Sequence, residues 1–491
     1  MIARAFVALL GFTLAAGACA QSTHGSKRVD AARQATAERN LQQLDLRFTG
    51  DFDAMLERRM IRVAAPYSRS LFYIDRGRER GIGAALVRDF EVWLNRKYEK
   101  KLGKRPLTIY VVAVTRERLL PDVTEGLADV AIGNLTVTEG REKIVDFVAP
   151  DSVRRVNEIV VTGPASPSLA SLPDLSGKTV HVRRSSSYYD SLVAENRRLE
   201  AAGKPPVKLV LVPDALEDED MMEMVNAGLL PIIVVDDWKA MMWSKALPKL
   251  VLHDKLALRE GAKLGWAIRK GSPQLRAELD EFYTSWVRKN GVIAYLMGRA
   301  MNSGPLRDPA SEAAFRRFDD TVALFAKYGR QYGFDPVMLA AQGFQESTLD
   351  QSKRSRVGAI GVMQLMPATG KALDVGDITV IEPNIHAGAK YMDELSTKYF
   401  ADAKFDQINK TLFAFASYNA GPASIARMRD EARRRRLDPD KWFNNVEIVT
   451  AEKIGLETTT YVRNIFKYYT AYVLVLAAEE RAAKAREALQ R

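Results

Sequence analysis

The sequence contains one cysteine, Cys19, and only four histidines, His24, His181, His253 and His386. A lone cysteine excludes an internal disulfide. The histidines stand too far apart to show ligand spacing, so no metal is expected. No nucleotide fingerprint is present, and no cofactor is expected. After the N-terminal segment, no unbroken apolar run reaches the ~18 residues that a membrane span needs. An aromatic platform interleaved with basic residues is also missing. Nucleic acid is therefore not an expected partner, despite a net charge of +11 and a pI near 9.4. Such basicity suits general solubility, an anionic membrane surface or an acidic polymer. The densest basic run, Arg433 to Arg436, is expected to be a solvated face.

With 491 residues, 47% apolar and 27% charged, the chain is expected to form two or three globular domains. Arg4 and the apolar run Ala5 to Ala18 have the form of an export signal. Cys19 closes that run in Ala16-Gly17-Ala18-Cys19, which resembles a bacterial lipobox, with Ala16 where Leu is usual. The expectation is a signal over 1–19 and lipidation of Cys19, with simple cleavage after Ala20 as the alternative. No Asp follows Cys19, so a lipidated chain would sit at the periplasmic face of the outer membrane. Residues 20–55 are polar and suit a tether. From 56 to 290, short β-branched runs alternate with amphipathic helical stretches, which predicts an α/β domain with mostly parallel sheets. Gly, Asn, Ser and Pro mark a linker over 291–315. Helix signals dominate 316–475, and a helical tail is expected over 476–491.

In the helical region, Asp335-Pro336 is an N-cap followed by proline at the first helical position. The helix it starts carries Glu346 near its end, beside Phe344, Ala340 and Ala341. An apolar setting raises a carboxyl pKa and makes it a proton donor at neutral pH. Gly358 and Gly361 bracket a tight turn before Met363 and Gln364. Tyr418 and Asn419 precede Gly421-Pro422, and Tyr461 follows in Glu457-Thr458-Thr459-Thr460-Tyr461-Val462. Taken singly, Glu346 is a surface carboxylate, and Met363 and Tyr461 are core residues. Most glycosidases need two carboxylates, and nothing marks Asp350 as the second.

Glu346-Ser347, Gly361-Val362-Met363-Gln364, Ser417-Tyr418-Asn419-Ala420-Gly421 and the late Glu457-Thr458 and Tyr461-Val462 block together resemble the soluble-lytic-transglycosylase domain family. Val362 and Ser417 replace its usual Leu and Ala. The resemblance implies a mainly α, lysozyme-like domain that cleaves the MurNAc–GlcNAc β-1,4 bond of peptidoglycan without water, leaving 1,6-anhydromuramoyl ends. It implies that Glu346 acts first as acid and then as base. Ser347, Gln364, Tyr418, Asn419 and Tyr461 would position Glu346 and the sugar, and Met363 would line the cleft. A hydrolytic lysozyme-like muramidase and a sensor with a degenerate catalytic domain are the alternatives.

The α/β region resembles periplasmic amino-acid-binding proteins, which implies a two-lobed fold closing on an amino acid, peptide or muropeptide. Thr136 and Arg141, in Thr136-Val137-Thr138-Glu139-Gly140-Arg141, match the carboxylate clamp of that family. Asp236, after Ile232 to Val235, matches its amine ligand, and Ser185 lies in a serine run that opens a helix. The structural alternatives are an ion pair of Arg141 with Asp146 or Glu139 and an N-cap role for Asp236. The two halves together suggest a ligand-regulated enzyme.

Overall fold

The computed structural model describes residues 46–75, 78–149, 155–289 and 312–489. The signal segment with Cys19, most of the tether and nearly all of the expected linker lie outside these residues. Thr49–Arg491 form one compact unit. No helix among the described residues is long and apolar enough to cross a membrane.

The α/β region starts earlier than its composition suggests. Helix α1 (Phe52–Arg58) is capped by Asp51 and buries Phe52 and Met55, which the sequence assigned to the tether. Asp51 also accepts from the backbone N–H groups of Gln274 and Leu275, tying the start of the domain to its last helices.

Two five-stranded sheets form the two lobes, and β2 (Tyr73–Asp75) pairs with β3 (Arg78–Arg80) in a separate two-stranded sheet. The first has the order β4 (Thr108–Val114), β1 (Met60–Pro66), β5 (Val130–Thr136), β12 (Leu264–Ile268), β6 (Asp146–Val148). The second has the order β11 (Val251–Ala262), β7 (Val156–Thr162), β10 (Ile232–Asp236), β8 (Thr179–Val182), β9 (Lys208–Leu211). The expected parallel pairing holds for β1 with β4 and β5, and for β8 with β9 and β10. β7, β11 and β12 pair antiparallel, so each sheet is mixed. These strands flank the passages between lobes, where the chain enters the second sheet and returns to the first. Strands β1 and β10 are buried throughout, as apolar runs covered on both faces must be.

Helix α2 (Ile82–Lys97) buries Ile82, Leu86, Phe90, Trp93 and Leu94, the spacing of one helical face. Its aromatic residues pack against Trp266 and Phe282. In the second lobe, α3 (Ser187–Ala201), α4 (Asp218–Asn226) and α5 (Asp237–Ser244) surround β10.

The remainder is helical: α6 (Glu312–Tyr332), α7 (Pro336–Ser347), α8 (Ile381–Tyr399), α9 (Gln407–Ala420), α10 (Pro422–Arg434), α11 (Glu447–Lys453) and the long α12 (Leu456–Leu489). Helix α6 already begins at Glu312, inside the expected linker, and α12 runs unbroken into the expected tail. Helix α7 packs between α6 and α12: Phe344 meets Tyr468 edge-on at 4.8 Å, and Phe318 stacks on Tyr472 at 4.4 Å. The Arg433–Arg436 run is only partly a free face. Arg435 is half-buried and bridges Glu431 and Glu452.

Candidate active site and ligand cleft

Helix α7 delivers Glu346 to the site. Its N-cap, Asp335, accepts from Val337 N–H at 2.7 Å, and Pro336 supplies a preset first turn. The helix stops just after the glutamate because Thr348 and Leu349 both take left-handed backbone conformations, φ 62° and 59°. Two such residues in succession are strained, and neighbouring bonds must hold them. Ser347 provides those bonds. It is buried, its hydroxyl donates to the Val362 carbonyl at 2.9 Å, and its oxygen accepts from Asp350 N–H at 3.1 Å.

The turn carrying Gln364 is fixed from three sides. Gln351 Oε1 accepts from Val362 N–H at 3.1 Å, Asn384 Oδ1 accepts from Met363 N–H at 2.8 Å, and the Tyr418 hydroxyl donates to the Met363 carbonyl at 2.6 Å. Gly361 has φ 78°, and a Cβ there would meet the Asn384 and Gln351 amides at 2.5–2.6 Å. Any side chain at this position would open the turn.

Above the turn, Tyr461 of α12 donates its hydroxyl to Glu346 Oε1 at 2.5 Å. Burial pushes the Glu346 carboxyl up to about 7, and the Tyr461 hydrogen bond opposes that shift. Both Tyr418 and Tyr461 are raised well above the usual phenol range, by burial first and then by the charge of Glu346. They therefore remain protonated donors. Oε1 is engaged by Tyr461, and a carboxyl raised in this way can act as a proton donor near neutral pH. Asp350 is far from this role: its carboxylate is held below the usual range, chiefly by the Ser352 hydroxyl.

The other sequence-selected residues divide by location. Gln364 uses its amide to donate to the Gly361 carbonyl at 2.9 Å and so braces its own φ of 48°. Asn419 Oδ1 accepts from the Thr458 hydroxyl at 2.7 Å, linking α9 to α12. Met363 is wholly buried, and its side chain packs where Gly388 leaves room. The cleft-lining role expected of it is therefore corrected: the side chain supports the turn from behind.

Gln342 was not singled out in the sequence. It lies one helical turn before Glu346, is fully buried, and its amide donates to the Tyr461 oxygen at 3.4 Å. The i, i+4 spacing on α7 was the available signal. Tyr461→Phe removes the donor to Glu346. The alkaline limb of the pH–rate profile is then expected to move upward, because a bond that favours the ionised form is lost. An unchanged limb would separate Tyr461 from the acid.

In the α/β region, a cavity of about 310 Å³ is lined by Arg116, Asn134, Arg141, Arg183, Ser185–Ser187 and Asp218, among others. Arg141 donates to the Thr136 carbonyl at 3.0 Å and to the Ser185 carbonyl at 3.4 Å. Burial lowers its pKa. Its expected alternative, an ion pair with Asp146 or Glu139, is absent among the described residues. Asp146 instead faces Lys270 and Arg276 at 3.6 and 3.7 Å. Thr136 is buried, and its hydroxyl accepts from Ser187 at 3.1 Å. The helix opened by the serine run is capped by Ser186, whereas the Ser185 hydroxyl donates to Asp214 at 3.0 Å.

Asp236 stands at the N-cap position of α5, the alternative expected for it, but its side chain makes no capping hydrogen bond. It is fully buried, accepts from the Asn134 amide, and is pushed by burial up to about 7. It lies behind Asn134, whose carbonyl in turn accepts from Trp238 Nε1 at 3.1 Å.

The acidic helix α4 was not singled out from the sequence. Four consecutive acids, Glu217 to Asp220, suggest a solvated run, yet all four are buried, as is Glu223. Glu217 bridges to Arg116 at 2.7 Å across the cleft, and Asp218 pairs with Arg183 and Lys239. On the same helix, Asp220 meets Lys467 at 2.9 Å and Arg463 at 3.2 Å, and Glu223 meets Lys467 at 2.5 Å. Both cations belong to α12, shortly after Tyr461. Tyr67, Ile448 and Ala451 form an apolar cluster beside these pairs.

The family of bacterial extracellular solute-binding proteins, family 3, matches residues 87–299, which contain Arg141 and Asp236. The transglycosylase SLT domain matches residues 323–441, which contain Glu346, Gln364 and Tyr418. The chain therefore joins a solute-binding domain to a transglycosylase SLT domain. Over most of its length it is similar to membrane-bound lytic murein transglycosylase F. The Desulfosudis oleivorans protein of that name is 27% identical over 372 residues, covering 72% of this chain and 79% of that protein. The Pseudomonas putida protein is 27% identical over 431 residues, covering 84% of each. A solved ancestral arginine-binding protein bound to arginine aligns with 22% identity and a TM-score of 0.37, covering 50% of this chain and 98% of that one.

Proposed function

We propose that this protein is a peptidoglycan lytic transglycosylase that cleaves the MurNAc–GlcNAc β-1,4 bond and leaves a 1,6-anhydromuramoyl end. The observation that carries the reading is Glu346: a carboxyl raised to about 7 by burial, held by Tyr461, with no second carboxylate acting on it among the described residues. In the first step Glu346 donates its proton to the glycosidic oxygen as the C1–O bond breaks. The substrate's 2-acetamido oxygen stabilises the cationic C1. The GlcNAc leaving group departs, and the Glu346 carboxylate takes the proton of the muramoyl 6-hydroxyl as that oxygen closes on C1. Glu346 is thus reprotonated, and no water is consumed. Mass spectrometry of digested sacculi tests the reading: products lighter by one water than the hydrolytic products are expected, and reducing ends would identify a muramidase instead.

The cleft at Arg141 is proposed to bind a small carboxylate-bearing ligand, such as an amino acid, peptide or muropeptide, and to regulate cleavage. Supporting this, α4 faces the cleft through Glu217 and Asp218 and faces α12 through Asp220 and Glu223. A ligand that binds differently in two lobe arrangements would bias α12 and hence Tyr461. Isothermal titration with amino acids and muropeptides is expected to give heat that Arg141→Ala removes. No heat from any of them would reduce the domain to a spacer. The proposed location is the cell envelope, anchored through Cys19 to the outer membrane. Incorporation of labelled palmitate that Cys19→Ala abolishes is the expected result.

A further inference from the structure

Between Glu346 and the Gln364 turn lies a short hairpin that the proposed chemistry does not use. Arg354 bridges to Ile360, and Ile360 to Leu365, in antiparallel fashion. Ser355 N–H donates to the Ala359 carbonyl, and Gly358 N–H to the Ser355 carbonyl, both at 3.0 Å, closing a turn with Arg356 and Val357 at its tip. The Lys353 carbonyl accepts from Gly361 N–H at 3.0 Å and from the Gln364 amide at 3.4 Å. The hairpin is thus fastened directly to the turn that flanks Glu346.

Its charged side chains lie on the surface, with the Arg354 guanidinium also donating to the Gln351 and Lys353 carbonyls at 3.0 and 2.9 Å. Lys353, Arg354 and Arg356 are exposed, and Val357, at 76% exposure, is the most exposed large apolar residue among those described. Among the described residues, no ion pair joins any of the three cations to a carboxylate. The nearby acid, Asp350, is engaged by Ser352 N–H and Oγ at 2.9 and 2.6 Å. Three cations therefore stand against one occupied carboxylate. By contrast, three of the four arginines of α10 are matched to acids: Arg429 to Asp402 and Asp440, Arg433 to Asp402 and Asp430, and Arg434 to Glu431. Unpaired like charges held together on an ordered turn repel one another, and an anionic partner relieves that repulsion.

We infer that Lys353, Arg354 and Arg356 form a subsite for the carboxylates of the peptide carried by the MurNAc residue at the cleavage point, with Val357 against its apolar side chains. The inference rests on the peptidoglycan reading above. The peptide hangs from the lactyl ether of the sugar whose C1 is attacked, so it leaves the glycan beside the site, where the hairpin projects. Its free carboxylates supply the complementary charge. The hairpin thereby sets a preference for peptide-bearing over bare glycan strands.

The test compares Lys353→Gln/Arg354→Gln/Arg356→Gln with the wild-type chain on three substrates. These are soluble glycan strands with intact peptides, the same strands stripped by an amidase, and strands with their peptide carboxyls chemically amidated. On intact strands the variant is expected to lose roughly five- to tenfold in kcat/KM, the scale of a few exposed charge pairs, and the loss should shrink at high salt. On stripped and amidated strands, variant and wild type should match. Equal losses on all three substrates, or no loss on intact strands, overturn the subsite. Failure of the wild-type chain to cleave any strand overturns the peptidoglycan reading, and the subsite with it.

Discussion

Glu346→Gln is expected to abolish the release of 1,6-anhydromuropeptides from sacculi while the fold persists. One side chain serves as acid in the first step and base in the second, so both steps lose their proton carrier. General acid–base catalysis is worth ~10²–10⁴-fold per positioned group, and the expected loss lies at or beyond the upper end. Anhydro-product release at near wild-type rate would remove Glu346 from the mechanism. The same group predicts the pH dependence. The carboxyl must be protonated to begin, so kcat/KM should fall as pH rises through about 7.

Stability should follow the same titration. Burial raises the folded pKa above the unfolded value near 4.5. Measured against Glu346→Gln, the wild-type chain keeps its full relative stability below that value and loses it as pH rises through about 7. The Gln variant should therefore gain in relative melting temperature between pH 4.5 and pH 7 and above. A difference that stays constant with pH would show that the carboxyl does not pay a burial penalty.

The second large effect is expected at Asp220. Its carboxylate is shared by Lys467 at 2.9 Å and by Arg463 and Arg69 at 3.2 Å, with Lys467 almost wholly buried. Burial alone would raise this carboxyl, but the three cations outweigh it and hold it well below the usual range. Asp220→Asn leaves buried cations under-compensated, a change that costs about 3–5 kcal/mol. The expected reading is a lower urea midpoint. A midpoint unchanged within error would mean that Glu223 and Glu447 suffice to neutralise the cations. Lys467→Met combined with Asp220→Asn should recover part of the loss, since an apolar replacement removes a charge needing a partner. Because the folded pKa of Asp220 is depressed, its contribution is present above the unfolded carboxyl range and is lost as pH falls through the folded value. That acid-side dependence is opposite in sign to the effect at Glu346.

Several features were legible in the sequence because they depend on local geometry. The β-branched runs became strands, since alternating or fully buried apolar residues suit a pleated sheet. Asp335-Pro336 capped a helix, as its carboxylate and missing N–H dictate. The mixed direction of the sheets was not legible, because antiparallel β7, β11 and β12 follow from how the chain passes between lobes. Met363 illustrates a further limit: its place in a motif gave no indication that the side chain turns inward toward Gly388. The burial of the four acids from Glu217 to Asp220 was not legible for a related reason. Their burial depends on cations that come from Arg116, Arg183, Lys239, Arg463 and Lys467, remote in sequence.

By itself the sequence determined which groups exist and in what order: a single acid in an apolar helix, two motif turns and a late motif block after it, and an α/β half before it. Those follow from residue type and short-range spacing. Only the tertiary structure decided that Tyr461 reaches Glu346, that α4 joins the cleft to α12, and that Lys353, Arg354 and Arg356 have no ion-pair partners among the described residues. Each of these turns on distances between residues far apart in the chain. Coulomb and desolvation energies depend on that separation and burial, which residue order alone does not specify.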